Sequence, residues 1–299
     1  MEKMNNKKKF HISPVLAVLC AILVIYTLVF FTPIIWGLIT TFKDYTIYRV
    51  GTARKDISLM MGLNNLTMEN FKMAFTSFKI PVLDGYAPLW EMFFNSILYA
   101  GGCAIVSTIV PCVMAYLVAR YDFRLGKLVY AIVLVTMAIP IVGALPSEIA
   151  MVENLGLMDT ILGLYVLKAN FLGIYFLVFY AQFKSIPKDY TEAAEIDGAS
   201  DMHIMVRIIF PIAAGTITTV MLLNFITFWN DYQIPMIYWE SRPVVAYGMY
   251  YFVRVTSGQM GATPVKLAAM IIVAVPIIAI FFAFNKKIMS NMSIGGVKG

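Results

Sequence analysis

Five long windows of this chain contain no Asp, Glu, Lys or Arg: 12–41, 92–119, 128–147, 208–230 and 267–285. A charge at the middle of a bilayer costs on the order of 3 kcal/mol on insertion scales, and about 20 helical residues cross the hydrocarbon core. Each window is therefore predicted to be a membrane helix. A sixth, 169–183, holds only fifteen residues between Lys168 and Lys184, so it must extend back through Lys168 to about residue 161. The expectation is an all-α polytopic membrane protein with six transmembrane helices and both ends on one side.

The windows divide the chain into a basic N-terminus (1–13), a first membrane helix (14–42), a long connection (43–90), a membrane core (91–285) and a tail (286–299). The first apolar run is longer than the core of a secretory signal peptide and shows no small-residue cleavage site, so it reads as retained. With 60% hydrophobic and 13% charged residues, against about 25% charged in soluble domains, lipid is the main solvent.

The net charge of +6 follows membrane topology better than nucleic-acid binding, for which a basic stripe with interleaved aromatics is missing. Lys3, Lys7, Lys8 and Lys9 precede the first window. Arg120, Arg124 and Lys127 fill the second connection, and Lys286, Lys287 and Lys298 follow the last window. The third connection carries only Glu148, Glu153 and Asp159, so the positive-inside rule puts both termini in the cytoplasm.

In the long first connection, Thr67 can cap a helix with Phe71, Phe75 and Phe78 on one face. The Asn65-Leu66-Thr67 triplet matches a glycosylation sequon that is common by chance. Pro111, Pro140, Pro146, Pro211 and Pro276 are either tolerated or bend their helices for a gated path. Cys20, Cys103 and Cys112 lie in apolar runs as packing residues. With two histidines, His11 and His203, and no phosphate-binding G-x-x-x-x-G-K-S/T loop, neither a histidine triad nor ATP hydrolysis by this chain is expected.

One polar stretch stands out, "DYTEAAEIDGASDMHIMVRIIFP" at 189–211. Pro187 suits a first helical turn, and good helix formers follow to about Asp197-Gly198, where glycine permits a reversal. Ser200 can cap a second helix that leads through Arg207 into the fifth window. Ala193 and Ala194 allow close approach by another protein, and Glu192 and Glu195 offer it carboxylates. The stretch thus reads as an elbow for docking that moves membrane helices, or as a solvated loop.

The motif Glu192-Ala193-Ala194, then Gly198, then Phe210-Pro211 resembles the signature of ABC importer permeases of the binding-protein-dependent, MetI-like family. "LTMENF", "FFNSILYA", "AYLVARYDFR", "LGLMDTILGL", "FWNDYQIP" and "GGVKG" follow in the order of MalG-type carbohydrate permeases, from residue 14 to the end. The resemblance implies a bacterial cytoplasmic membrane protein. Its partners would be a MalF-like permease, two ABC ATPases holding ATP and Mg, and an extracytoplasmic solute-binding protein. No cofactor would be bound by this chain itself, and the work would be transport of a sugar or oligosaccharide, not catalysis.

It further implies that the loop 185–207 is a coupling element, with Glu192, Ala193, Ala194, Asp197, Gly198 and Ala199 at the ATPase and Gly296 and Lys298 in a tail that reaches towards it. Aromatic faces and amides suit sugars, which makes Asn224, Phe228, Trp229, Asn230 and Tyr232 candidates for the path, or an interfacial belt. Lys168, with Asn170 beside it, either snorkels to the surface or meets a polar or acidic substrate. An ion-coupled transporter would want acidic or histidine residues inside the windows, and a non-transporting scaffold remains the other alternative.

Overall fold

The computed structural model describes residues 14–56, 62–63, 66–83, 85–139, 143–255 and 261–292, and for 255 and 284–292 the backbone alone. The basic N-terminus, Asn65, Pro140, Gly296 and Lys298 lie outside the described residues. The chain forms two compact units, 1–74 with 257–269, and 75–256 with 270–299.

In the first unit, α1 (Pro14–Thr41) is apolar on every side and buries only Thr40 and Thr41. It stops before Asp44, whose carboxylate accepts from the N–H groups of Thr46 at 2.8 Å and Ile47 at 3.2 Å and so caps α2 (Tyr45–Arg54). Buried Asn70 donates its amide to the carbonyls of Thr41 and Lys43, at 2.8 and 2.6 Å, closing the chain that follows α1.

Asn70 belongs to α3 (Glu69–Ser77), which crosses the boundary between the units. Thr67 does accept from Glu69 N–H at 3.1 Å. The phenylalanine face is corrected at Phe75, which is exposed: α3 turns Asn70 and Ala74 inward, and Phe78 is buried just past its end. A helix turns 100° per residue, so a stripe read one position off changes its members.

The second unit opens with a hairpin of β1 (Lys79–Val82) and β2 (Gly85–Pro88). Its spine is α4 (Leu89–Arg120), 32 residues and about 48 Å long at 1.5 Å per residue. The third apolar window falls on α5 (Arg124–Ala138), and α6 (Leu145–Asn154) carries Glu148 and Glu153 of the connection after it. The fourth is α7 (Ile161–Lys168) and α8 (Ile174–Ser185). The predicted passage of one helix through Lys168 is therefore corrected: residues 169–173 are not helical, and Gly173 sits at φ 128°, which a side chain resists.

Next come α9 (Asp189–Ile196), α10 (Asp201–Ile212) and α11 (Ala214–Trp229), the last two bent by 78°. After them lie α12 (Gln233–Tyr238), α13 (Val245–Val255) and α14 (Thr263–Met292). Among the described residues α1, α4 and α14 are each long and apolar enough to cross a membrane, and α10 with α11 makes a fourth crossing if counted as one span. Among the described residues the other two expected crossings fall on shorter helices, α5 at the third window and α7 with α8 at the fourth.

Polar side chains along α4 tie the second unit together. Near the hairpin, Asn95 donates to Pro243 O at 3.1 Å, Ser96 Oγ accepts from Val245 N at 2.7 Å, and Tyr99 donates to Asp231 Oδ2 at 2.8 Å. Further along, Ser107 donates to Lys168 O at 3.1 Å, and Thr108 Oγ1 accepts from Asn224 at 3.0 Å. Apolar contact cannot by itself favour helix over lipid, so such bonds and small residues hold membrane helices together.

Candidate functional site

Two regions concentrate chemistry. The first is the elbow. Helix α9 ends in a Schellman arrangement, with Gly198 N–H on Glu195 O at 3.0 Å and Ala199 N–H on Ala194 O at 3.0 Å. Gly198 takes φ 77°, which only glycine adopts cheaply. Ser200 Oγ then accepts from His203 N–H at 3.4 Å and opens α10. From Ile204 to Ile209 the helix widens to a π-type turn just ahead of Pro211, which has no N–H for the Arg207 carbonyl. Residue 213 breaks the helix before α11 departs at 78°.

Ile204, Met205 and Ile209 are buried in one cluster with Tyr116, Phe183, Ile186 and Ala194. The Tyr116 ring meets Phe183 edge-on at 5.6 Å and Phe210 at 6.1 Å. Burial, then the neighbouring Tyr116, then the Asp201 carboxylate push the Tyr121 hydroxyl up from its usual range. The elbow is thereby packed onto the ends of α4 and α8.

Of the predicted interface residues, Glu192, Ala193, Asp197 and Gly198 are exposed and Ala199 is half-buried. Ala194, at 7% exposure, faces the cluster, and its small size allows α9 to approach α10. The sequence reading missed Ile196 and Met202, which are 86% and 65% exposed. Ile196, two residues past Ala194, falls on the other side of a 100°-per-residue helix, a signal already in the sequence.

The second region is a pair of cavities among the candidate path residues. The smaller, about 170 Å³, is lined by Ser107, Lys168, Asn170, Asn224 and Phe228 among others. Lys168 Nζ lies 5.6 Å from the centroid of the Phe228 ring. The larger, about 360 Å³, is lined by Trp229, Asn230, Tyr232, Tyr250 and Arg254 among others. There Tyr232 stacks on Tyr250 at 4.6 Å, and the Arg254 guanidinium lies 4.4 Å from the Tyr250 ring centre.

The seven path candidates therefore separate into two groups. Asn230 Nδ2 turns back to Ile226 O at 2.8 Å, while the buried Trp229 indole N–H finds no acceptor among the described residues. Ser107, Tyr250 and Arg254 were missed, because their place in the site comes from pairing with distant helices. No group of three or more His, Cys, Asp or Glu that could hold a metal occurs among the described residues.

A helical membrane protein with a packed elbow, and with cavities lined by aromatic rings and a few polar side chains, has the anatomy of a transport subunit. The family described as "Binding-protein-dependent transport system inner membrane component" matches residues 107–293, more than half of the chain, and the chain belongs to it. It is 26% identical over 283 residues to the diacetylchitobiose uptake system permease protein NgcG of Streptomyces coelicolor, covering 92% of this chain and 86% of that one. It is 27% identical over 219 residues to the melibiose/raffinose/stachyose import permease protein MelC of Bacillus subtilis, covering 71% and 78%.

Among solved structures, a chain from a bacterial ABC transporter involved in the import of the acidic polysaccharide alginate has the same fold. The TM-score is 0.72 at 21% identity, over 91% of this chain and 96% of that one.

Proposed function

We propose that this chain is the permease subunit of an ATP-driven importer for a sugar or oligosaccharide, moved by partner ATPases that grip the elbow. The observation that carries this reading is the elbow itself. Its exposed face presents Glu192, Ala193, Ile196, Asp197 and Gly198, while its inner face is packed without a flexible linker onto α4, α8 and, through α10, α11. A displacement of α9 is thereby handed to the helices that line both cavities. Coupling of this kind requires that the two states of the motor hold the elbow differently.

The sugar follows from the names of the relatives and from the aromatic rings and amides of the cavities, which suit C–H faces and hydroxyls. In this reading the elbow and both termini are cytoplasmic, a MalF-like permease completes the path, and a solute-binding protein delivers substrate outside. ATP and Mg sit on the ATPases, this chain performs no catalysis, and Gly296 and Lys298 reach towards the motor. An ion-coupled mechanism is disfavoured by the charge-free windows.

The test is ATP-dependent sugar uptake by the complete assembly carrying Gly198→Pro, which demands a negative φ where the chain has φ 77°, or Ile196→Asp. Each variant should insert normally, yet lose uptake by about tenfold or more, equivalent to about 1.4 kcal/mol of coupling. Undiminished uptake in both would sink the proposal.

A further inference from the structure

The smaller cavity holds a group that a neutral sugar does not call for. The Lys168 ammonium stands over the Phe228 ring at 5.6 Å, and among the described residues no carboxylate lies at ion-pair distance from it. Asp231, the carboxylate near the hairpin end of the same helices, is already committed: it accepts from Tyr99 Oη at 2.8 Å, Gln233 N at 3.1 Å and Ile234 N at 3.3 Å.

Two features compensate the cation in part. The Phe228 face attracts it through the ring quadrupole, and the C-terminal end of α7 presents roughly half a negative charge. Neither neutralises a whole one, so the half-buried Lys168 keeps charge to offer an anion in the cavity.

The backbone beside it points the same way. Residues 169–173 leave helical geometry between two apolar helices, and in a membrane such backbone is tolerated where it is buried in protein or lines a cavity. Asn170 lines this cavity, with Ser107 and Asn224 opposite. Asn224 uses its N–H on Thr108 and Ser107 its O–H on the Lys168 carbonyl, which leaves amide and hydroxyl oxygens as acceptors for sugar hydroxyls. The volume, about 170 Å³, matches five or six waters at about 30 Å³ each, the scale of one sugar ring.

We infer that this cavity is a subsite for an anionic sugar unit, with Lys168 as the counter-ion of its carboxylate or phosphate and the Ser107 and Asn224 oxygens receiving its hydroxyls. The inference rests on the importer reading above and narrows its substrate class. Lysine is a point charge without a fixed fork, so carboxylate and phosphate are separate arms of the test.

The complete assembly, with its binding protein, is given labelled digalacturonate, the methyl ester of digalacturonate, a hexose phosphate, and neutral lactose and maltose. Uptake is normalised to assembled complex. The wild type should accumulate an anionic probe at least tenfold faster than the ester or the neutral disaccharides. Lys168→Met should abolish that preference through a raised KM, and Lys168→Arg should restore it to within about threefold, since the charge is kept.

Whichever anion is preferred identifies the carboxylate or the phosphate arm. Equal or better uptake of neutral sugars by the wild type, or an anionic preference untouched by Lys168→Met, overturns the inference. If Lys168→Met fails to assemble, Lys168→Gln takes its place in the same comparison. Uptake of no sugar of either charge defeats the importer reading, and the subsite with it.

Discussion

Helices α1 and α4 are both long and apolar enough to cross a membrane, yet they bury different kinds of surface. Along α1 only Thr40 and Thr41 are buried, and the hydroxyls of Thr27 and Thr32 turn back to Leu23 O and Leu28 O of the same helix, each at 2.7 Å. Along α4 a face of small and polar residues, among them Ser96, Ala100, Cys103, Ala104 and Thr108, is buried against other elements. Its hydroxyls and amides bond outward, to Pro243, Asp231, Lys168 and Asn224. Hydropathy selects what enters a bilayer, whereas small and polar positions select what packs inside it.

A glycine in each helix offers the largest test of this difference. A Cβ on Gly102 would stand 2.2 Å from the Tyr165 ring, while one on Gly37 would meet nothing within 4 Å. The Tyr165 hydroxyl is held by Leu98 O at 2.9 Å, so its ring has little freedom to retreat. Gly102→Leu should destabilise the protein by about 3 kcal/mol through overpacking, and Gly37→Leu by less than about 0.5 kcal/mol. Thermal unfolding of the two variants in one detergent checks this, and equal shifts would erase the contrast.

A smaller effect is expected for hydrogen bonds between helices. Asn224→Leu removes the bond to Thr108 and should cost about 0.6–2 kcal/mol in membrane surroundings. Thr32→Val removes only a bond within α1 and should stay within about 0.5 kcal/mol. Adding Thr108→Val to the first variant should cost little more, because the pair is already broken; an additive loss in this double-mutant cycle would show that the two side chains act separately.

The smallest effect concerns the cap that follows α1. The Asp44 carboxyl is held below its ordinary range, chiefly by the Thr46 hydroxyl, with the N–H groups of Ile47 and Thr46 adding to the shift against a penalty from burial. A depressed folded pKa gives stability that is present above the unfolded value near 3.9 and lost as pH falls through the folded one. Asp44→Ala should therefore cost about 1 kcal/mol at pH 7, and the gap from wild type should narrow below about pH 4. Melting curves across that range decide it; a gap constant with pH would assign the cap to something other than the carboxylate.

The elbow was legible almost to the residue. Pro187, the run to Ile196, Gly198 and Ser200 carry local information, because caps and left-handed turns are decided by neighbours in sequence. The break after Lys168 was harder to read, since a short apolar window flanked by lysines fits a tilted helix as well as two half-helices. Ala194 was read as a docking residue for its small size, yet it is buried, while the unremarked Ile196 is exposed. The larger cavity joins Tyr232 to Tyr250 across an intervening helix, a pairing no local pattern encodes.

Solubility in lipid, the placement of polar connections and the start and stop of the elbow were settled by the sequence alone. They depend on the cost of moving a charge into hydrocarbon and on backbone groups that are satisfied within a few residues. Which face of each helix is buried, where the fourth apolar stretch unwinds, and that Lys168, Asn170, Asn224 and Phe228 share one cavity were decided by tertiary structure. Those outcomes arise from contacts between residues far apart in the chain, whose energies exist only once the helices have met.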